Sequence, residues 1–105
     1  MKIGVDLTFM PRFAGKDRLA KEILSNDEYA LYSKSLKKEQ YLASRFALKE
    51  AFIKATEQSI LGLNLREIET RKKDSGAIYI VYKNKEYSCS LSHENEYCIG
   101  VVLND

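Results

Sequence analysis

The residue types that could do chemistry fall in three short segments of this 105-residue chain. Asp6 lies near the start, Ser92 and His93 lie near the end, and four charged residues lie between them: Arg45, Lys49, Glu50 and Lys54. Carboxylates can accept protons or ligate hard metal ions, and Lys or Arg can hold anionic groups. Common catalytic signatures are absent: there is no P-loop, no dinucleotide-binding glycine pattern, no HExxH and no CxxC.

Each of these residues also has a purely structural interpretation. Strand alternation alone places Asp6 on the wet face of a strand. Glu50 precedes Lys54 by four residues, which is the favourable orientation for a helix-surface ion pair worth about 0.2–0.5 kcal/mol. A strand-end histidine is more often structural than functional, and Ser92 fits a merely polar sheet surface. No single site decides the function.

The elements that must position these residues follow from periodicity. Residues 2–9 alternate, which predicts a strand that buries the face of Ile3, Val5, Leu7 and Phe9 and carries Asp6 on its second face. A short helix is expected over 16–24. Ser25 and Glu28 form a capping box that should open another helix, reaching about Tyr32.

The longest helix is predicted over 38–58 and is apolar almost all round, which indicates a buried or sandwiched helix. Its charges fall in two narrow stripes, Arg45 with Lys49 and Glu50 with Lys54. Charges on a mostly buried helix need partners or a ligand. Strands are then expected over 64–72, 77–83, 86–93 and 97–103, with turns at 74–76, Asn84 and Asn95.

This order predicts an α+β fold in which the long helix packs on a small antiparallel sheet, with residues 1–105 as a single domain. The net charge of +2 argues against a protein that coats nucleic acid, but residues 10–55 hold ten Lys/Arg against six Asp/Glu. We expect no signal peptide or membrane span, and a cytoplasmic location. Cys89 and Cys98 could form a disulfide, although buried thiols are more common in such a chain.

Three blocks together resemble the holo-acyl-carrier-protein synthases, over nearly the whole chain. They are Gly4-Val5-Asp6-Leu7 followed by Arg12, then Arg45-Phe46-Ala47-Leu48-Lys49-Glu50-Ala51-Phe52-Ile53-Lys54-Ala55, and then Ser90-Leu91-Ser92-His93. The middle block is the specific one. Phe9, the turn at 57–62 and Ala77 depart from the family's pattern.

The resemblance implies a reaction in which a serine of apo-acyl carrier protein attacks the pyrophosphate of coenzyme A. The 4′-phosphopantetheine arm is transferred and adenosine 3′,5′-bisphosphate leaves. It implies Mg²⁺ on Asp6 and Glu50, with Glu50 as candidate base and Lys54 on the pyrophosphate, paired with Glu50 in the empty enzyme. The residues that match the family's coenzyme A contacts are Arg45, His93, Lys54, Lys49, Lys37 and Ser92.

The resemblance also implies partners. Arg12 matches a carrier-binding position, and Lys16, Arg18 and Lys21 extend a basic patch suited to an acidic carrier protein. The family is trimeric, with sites shared between subunits, so a homotrimer is expected.

Two alternatives remain open from the residues. One is a non-catalytic α+β module that binds RNA or another polyanion through the basic helices and the tyrosines Tyr79, Tyr82 and Tyr87. The other is a scaffold protein in which Glu50 and Lys54 are only an ion pair.

Overall fold

The computed structural model describes residues 1–59 and 62–105, so part of the 57–62 turn, Ile60 and Leu61, lies outside the described residues. Strand β1 and three helices come first: β1 (Lys2–Phe9), a 3₁₀ turn (Met10–Phe13), α1 (Asp17–Ile23), α2 (Asn26–Lys34) and α3 (Lys38–Thr56). A second 3₁₀ turn and four strands follow: Leu65–Glu67, β2 (Glu69–Lys72), β3 (Ile78–Tyr82), β4 (Lys85–Glu94) and β5 (Tyr97–Asn104). The α+β prediction is confirmed.

The five strands form one antiparallel sheet in the order β1-β5-β4-β3-β2. The first strand therefore pairs with the last, and β1 and β2 are the two edges. In this register Asp6 lies opposite Gly100, and His93 lies opposite Cys98. The side chains of Asp6 and His93, on different strands, therefore lie on the same face of the sheet.

Helix α3 lies unusually close to β1 and β5 because the contact is made of small residues. A Cβ on Gly4 would overlap the Ala51 carbonyl oxygen, and a Cβ on Gly100 would lie 3.1 Å from the Ala47 carbonyl carbon. The helix contributes a buried row of alanines to this contact: Ala43, Ala47, Ala51 and Ala55. Since Asp6 shares the face of Gly4, this close approach brings the Asp6 carboxylate beside α3.

The buried face of β1 is the opposite of the predicted one. Ile3, Val5 and Leu7 are 55%, 43% and 63% exposed, whereas Gly4 and Thr8 are buried under α3. Alternation correctly separated the two faces of the strand. The prediction took the bulky apolar face as the buried one. The helix instead packs on the other face, because its close approach requires glycine at the contact.

Local signals account for most element boundaries. The capping box is confirmed, since the Ser25 hydroxyl accepts from the Glu28 N–H and the Glu28 carboxylate accepts from the Ser25 N–H. Helix α3 stops at Thr56 because Glu57 is left-handed, with φ 56°. The strand predicted from 64 begins only at Glu69, because the Asn64 side chain accepts from the Arg66 N–H and caps a 3₁₀ turn.

The turns predicted at 74–76, Asn84 and Asn95 are confirmed, with positive φ at Gly76, Asn84 and Asn95. Cys89 and Cys98 are free thiols, so the disulfide alternative is not observed. Burial raises the pKa of Cys89 to about 11, which keeps its thiol protonated at neutral pH. Within the described ranges, no helix has the length and apolarity needed to cross a membrane.

We predict that Gly4→Ala destabilises the fold by about 3 kcal/mol, because the new methyl group overlaps α3 backbone that cannot move independently. Gly100→Ala should cost less, since its Cβ would meet backbone at 3.1 Å. Urea unfolding of both variants measures the order. Equal stability of Gly4→Ala and wild type would contradict the close packing of α3 on β1.

Candidate active site

Asp6 and Lys54 form the first part of the site, where α3 crosses β1. The Lys54 ammonium donates to the Val5 carbonyl oxygen at 2.9 Å and to Asp6 Oδ1 at 3.3 Å. Thr8 Oγ1 donates to Asp6 Oδ2 at 3.0 Å. The Asp6 side chain is only 17% exposed, so the expectation of a solvated strand residue is wrong.

Glu50 lies beside this pair. Burial, and then the negative charge of Asp6, raise the pKa of Glu50 above its ordinary value, while the positive charge of Lys54 lowers it. The two carboxylates are therefore close enough to repel each other. Lys54 pairs with Asp6 and not with Glu50, which corrects the expected Glu50–Lys54 pair. We call Asp6, Glu50 and Lys54 the carboxylate cluster.

The cluster suits a metal only in part. Within residues 1–59 and 62–105, no group of three or more His, Cys, Asp or Glu side chains could hold an ion. Two neighbouring carboxylates nevertheless match the one or two protein ligands that Mg²⁺ usually takes, with water and phosphate oxygens completing its shell. Burial and the negative charge of Asp6 raise the pKa of Glu50, and a cation bound beside it would favour its ionised form.

Lys49 has a different place from the one predicted. Its side chain is fully buried, and its ammonium donates to Glu28 Oε1 at 2.7 Å and to the carbonyl oxygens of Ile23 and Leu65 at 2.8 and 2.9 Å. All three ammonium donors are thus used inside the protein. The expectation that Lys49 binds coenzyme A does not fit this geometry, and the residue is structural.

Arg45, one turn earlier in the same stripe, is also buried but has no such set of partners. It is 7% exposed, and its guanidinium lies 4.3 Å from the Tyr41 ring centroid. Nη1 donates to the Ser44 hydroxyl at 2.9 Å, while Nε is buried without a hydrogen-bond partner. An incompletely paired buried cation is typical of a binding site.

Arg45 borders a cavity of about 590 Å³ that we call the basic cavity. Four cations line it and no carboxylate does: Lys34, Lys37, Arg45 and Lys72. Gln40 also lines it, and the Gln40 amide nitrogen lies 3.5 Å from His93 Nε2. The structure therefore places Arg45, Lys37 and His93 in one region.

Ser92 does not share that region through its side chain. Ser92 lies opposite Ile99 in the sheet and His93 lies opposite Cys98, so the serine and histidine project to opposite faces of β4. Both border a smaller cavity of about 250 Å³ at the end of β4.

The four residues predicted to bind a carrier protein are all exposed. Arg12 is in the first 3₁₀ turn, Lys16 precedes α1, and Arg18 and Lys21 are in α1. Arg18 lies 3.8 Å from Glu22 in a loose exposed pair, and the Lys21 ammonium lies 5.9 Å from the Tyr29 ring. Their side chains are thus available to a partner.

Several site residues were missed at the sequence level. Lys34 and Lys72 lie in α2 and β2, far apart in the chain, and only folding brings both to the basic cavity. Tyr41 precedes Arg45 by four residues, a spacing that places the two side chains together on a helix. That spacing could have identified Tyr41.

Helix α3 separates the carboxylate cluster from Arg45. Five residues at about 100° each put Arg45 about 140° around the helix from Glu50. The contacts agree, since the cluster involves Val5 and Asp6 of β1, while the basic cavity includes Lys72 of β2 at the other edge of the sheet.

A carboxylate pair with a lysine, and a separate cavity lined by cations, are features of proteins that bind phosphorylated ligands. Comparison with known proteins agrees. The family model for the 4′-phosphopantetheinyl transferase superfamily matches residues 2–102. The chain belongs to this superfamily.

Named relatives make the assignment more specific. The holo-[acyl-carrier-protein] synthase of Mycoplasmopsis pulmonis is 42% identical over 95% of this chain and 86% of its own length. The crystal structure of the Neisseria meningitidis synthase is similar with a TM-score of 0.85 and 27% identity, covering 96% of this chain and 94% of that one. The Helicobacter pylori synthase in complex with coenzyme A gives a TM-score of 0.84 and 28% identity, covering 96% and 97%.

We predict that Glu50→Gln stabilises the protein at neutral pH. The folded-state pKa of Glu50 is raised above 4.5, so the folded protein binds this proton more tightly than the unfolded chain. That contribution to stability is present below about pH 4.5 and is lost as pH rises through the folded pKa. The advantage of Glu50→Gln over wild type should therefore grow with pH and then level off.

Urea unfolding between about pH 4 and pH 8 measures this difference. Glu86→Gln removes an exposed carboxylate of β4 and serves as the control. A difference between Glu50→Gln and wild type that does not change with pH would contradict the arrangement.

Proposed function

We propose that this protein transfers the 4′-phosphopantetheine arm of coenzyme A to a serine hydroxyl of apo-acyl carrier protein, with release of adenosine 3′,5′-bisphosphate. The observation that carries the proposal is the carboxylate cluster, in which Asp6 of β1 pairs with Lys54 and lies close enough to Glu50 of α3 for their charges to interact. Relatives named as holo-[acyl-carrier-protein] synthases, one of them solved with coenzyme A, support the substrate pair.

The reaction forms a bond from the serine oxygen to the phosphorus that bears the pantetheine arm. The bond from that phosphorus to the bridging oxygen breaks, and the bisphosphate leaves with the electron pair. Glu50 is the candidate base that takes the serine proton in this proposal. Lys54 offsets the negative charge that develops on the pyrophosphate.

The carboxylate cluster has the donors for Mg²⁺, which Asp6 and Glu50 would hold. When bound, Mg²⁺ would neutralise the charge of the pyrophosphate oxygens. The Lys54 ammonium and the Thr8 hydroxyl orient the Asp6 carboxylate.

The basic cavity is the proposed place for the nucleotide, with Arg45, Lys37 and His93 toward its phosphate groups. A cavity lined by four cations and no carboxylate fits an anion of more than one charge. Ser92 contributes through its backbone, since its side chain faces the other side of β4. Lys49 is left out because Glu28 and two carbonyl groups occupy its donors.

Two features support a homotrimer with sites shared between subunits. The outer face of β1 and β5 exposes large apolar side chains that a partner would cover: Ile3, Val5, Leu7 and Tyr97. In addition, α3 separates Glu50 from Arg45 within one chain, so a second copy could bring its Arg45 to the first copy's carboxylate cluster. Assembly would thus complete the site.

The exposed basic residues Arg12, Lys16, Arg18 and Lys21 are the proposed docking surface for the acidic carrier protein. The RNA-binding alternative is not favoured, because the tyrosine rings it needs are largely used in packing. Tyr82 is 9% exposed, and the rings of Tyr82 and Tyr87 contact Phe52 at 5.2 and 4.9 Å between centroids.

The predicted single domain over 1–105 is supported by the continuous sheet, in which the first strand pairs with the last. The cytoplasmic location remains part of the proposal, supported by the two free thiols.

We predict that the purified protein adds one phosphopantetheine to apo-acyl carrier protein in the presence of coenzyme A and Mg²⁺, as measured by intact mass spectrometry. EDTA should abolish the gain, and Asp6→Ala should lower the rate by about a thousandfold. Mg²⁺ should raise the Tm of wild type but not of Asp6→Ala, which tests the metal independently of activity.

Asp74→Ala, at an exposed turn, is the matched control and should behave as wild type. Absence of any mass gain with folded protein and an accepted carrier would refute the transferase proposal. Full activity of Asp6→Ala would refute the role of the carboxylate cluster.

We also predict a trimer in size-exclusion chromatography with light scattering. Leu7→Glu places a charge on the exposed apolar face and should yield monomers with little transfer activity. Ala77→Glu adds the same charge at an exposed position before β3 and should leave the trimer intact. A monomeric wild type with full activity would contradict the shared site.

A further inference from the structure

We propose that Tyr41 is a positioning residue that holds the Arg45 guanidinium at the wall of the basic cavity, so that the cavity prefers a nucleotide with an additional phosphate. This inference rests on the proposed function, because it assigns the nucleotide part of coenzyme A to that cavity. Tyr41 would then determine how well the extra phosphate is recognised.

The groups that contact the Arg45 guanidinium are neutral, so they do not offset its positive charge. A buried guanidinium is costly unless it is paired. Among the ion pairs of residues 1–59 and 62–105, none includes Arg45. Its contacts are the Ser44 hydroxyl and the Tyr41 ring, and its Nε has no partner.

Two of the three carboxylates beside Arg45 are paired with other cations. Glu28 and Glu69 line a second cavity beside Arg45, together with Asp27. Glu28 binds the Lys49 ammonium at 2.7 Å, and Glu69 binds the Arg71 guanidinium at 2.7 Å. No ion pair of residues 1–59 and 62–105 joins Arg45 to any of these three carboxylates, so its positive charge can attract an anion from outside the chain.

Tyr41 is well placed to orient this charge. Its ring lies 4.3 Å from the guanidinium carbon, in the range where a cation and an aromatic face attract. The Ser44 hydroxyl donates to the Tyr41 carbonyl oxygen at 2.8 Å and accepts from Arg45 Nη1 at 2.9 Å. The guanidinium is thus fixed by the ring on its face and by the hydroxyl at its edge.

The Tyr41 ring is itself supported from α2. Its centroid lies 6.5 Å from that of Tyr32, and the Tyr32 hydroxyl donates to Asp17 Oδ1 at 2.6 Å. Tyr32 is 2% exposed, so this support is part of the core. A chain of packed contacts therefore runs from the core to Arg45.

The ring of Tyr41 matters in this proposal, and its hydroxyl does not. The hydroxyl oxygen is buried near the Arg45 guanidinium but makes no hydrogen bond of acceptable geometry. Removing such an oxygen leaves the ring over Arg45 and takes away an unsatisfied polar atom, which is neutral or favourable for stability. Tyr41→Phe therefore serves as the conservative variant, and Tyr41→Leu removes the ring.

The test is titration calorimetry with adenosine 3′,5′-bisphosphate and with adenosine 5′-monophosphate as the two probes. Wild type and Tyr41→Phe should both prefer the bisphosphate, and Tyr41→Leu should reduce that preference on the order of fivefold. Tyr82→Leu removes a buried tyrosine ring that lies beside a lysine, and it should lower Tm without changing the preference. In the transfer assay, Tyr41→Leu should raise KM for coenzyme A more than for its 3′-dephospho form, with kcat changed little.

A preference that is unchanged in Tyr41→Leu would overturn the proposal, as would an equal loss in Tyr41→Phe. Failure of the transfer reaction is a separate outcome. If wild type transfers nothing but its preference for the bisphosphate still depends on the Tyr41 ring, the proposed function fails and the role of Tyr41 stands.

Discussion

The buried ion pair between Glu28 and Lys49 is the interaction on which the helical layer depends. Glu28 accepts from the Ser25 N–H, from the Lys49 ammonium and from both the N–H and the hydroxyl of Thr70. The Lys49 ammonium also donates to the carbonyl oxygens of Ile23 and Leu65. One pair thus joins the end of α1, the start of α2, the middle of α3, the second 3₁₀ turn and β2. Losing either partner would leave an uncompensated buried charge, at about 3–5 kcal/mol.

This pair also fixes the rotation of α3 about its axis. The contact with β1 and β5 fixes the distance between α3 and the sheet. Lys49 must face Glu28, and the alanine row must face Gly4 and Gly100. With both conditions met, Glu50 can only point toward β1, where Asp6 lies. The carboxylate cluster is therefore a consequence of packing on two other sides of the helix. Burial of Glu50 and, second, the negative charge of Asp6 raise the pKa of Glu50, so ionising the cluster has a local cost.

Sequence patterns predicted the order of the elements, the capping box, the turns and the family. They did not identify which face of β1 is covered, because alternation is symmetric and an apolar face that awaits a partner looks like a core face. Ile3 and Leu7 are exposed for that reason. The patterns also did not separate Lys49 from Arg45, since both are cations on one stripe of a buried helix. Partners distant in the chain, such as Glu28 and Leu65 for Lys49, decide which of the two cations has its donors used.

The contrast between Lys49 and Arg45 shows where a ligand is needed. Both side chains are at least nine-tenths buried, and they lie one turn apart on the same stripe. The Lys49 ammonium donates to the Glu28 carboxylate and to two carbonyl oxygens, which uses all three of its donors. Arg45 has a hydroxyl, an aromatic face and an unpartnered Nε, beside a cavity without carboxylates. Desolvation costs both cations, but only Lys49 recovers it within the protein. An anionic ligand can offset the desolvation cost of the Arg45 guanidinium. Burial of this unpaired cation would only destabilise a scaffold protein, but in an enzyme it favours binding of the ligand.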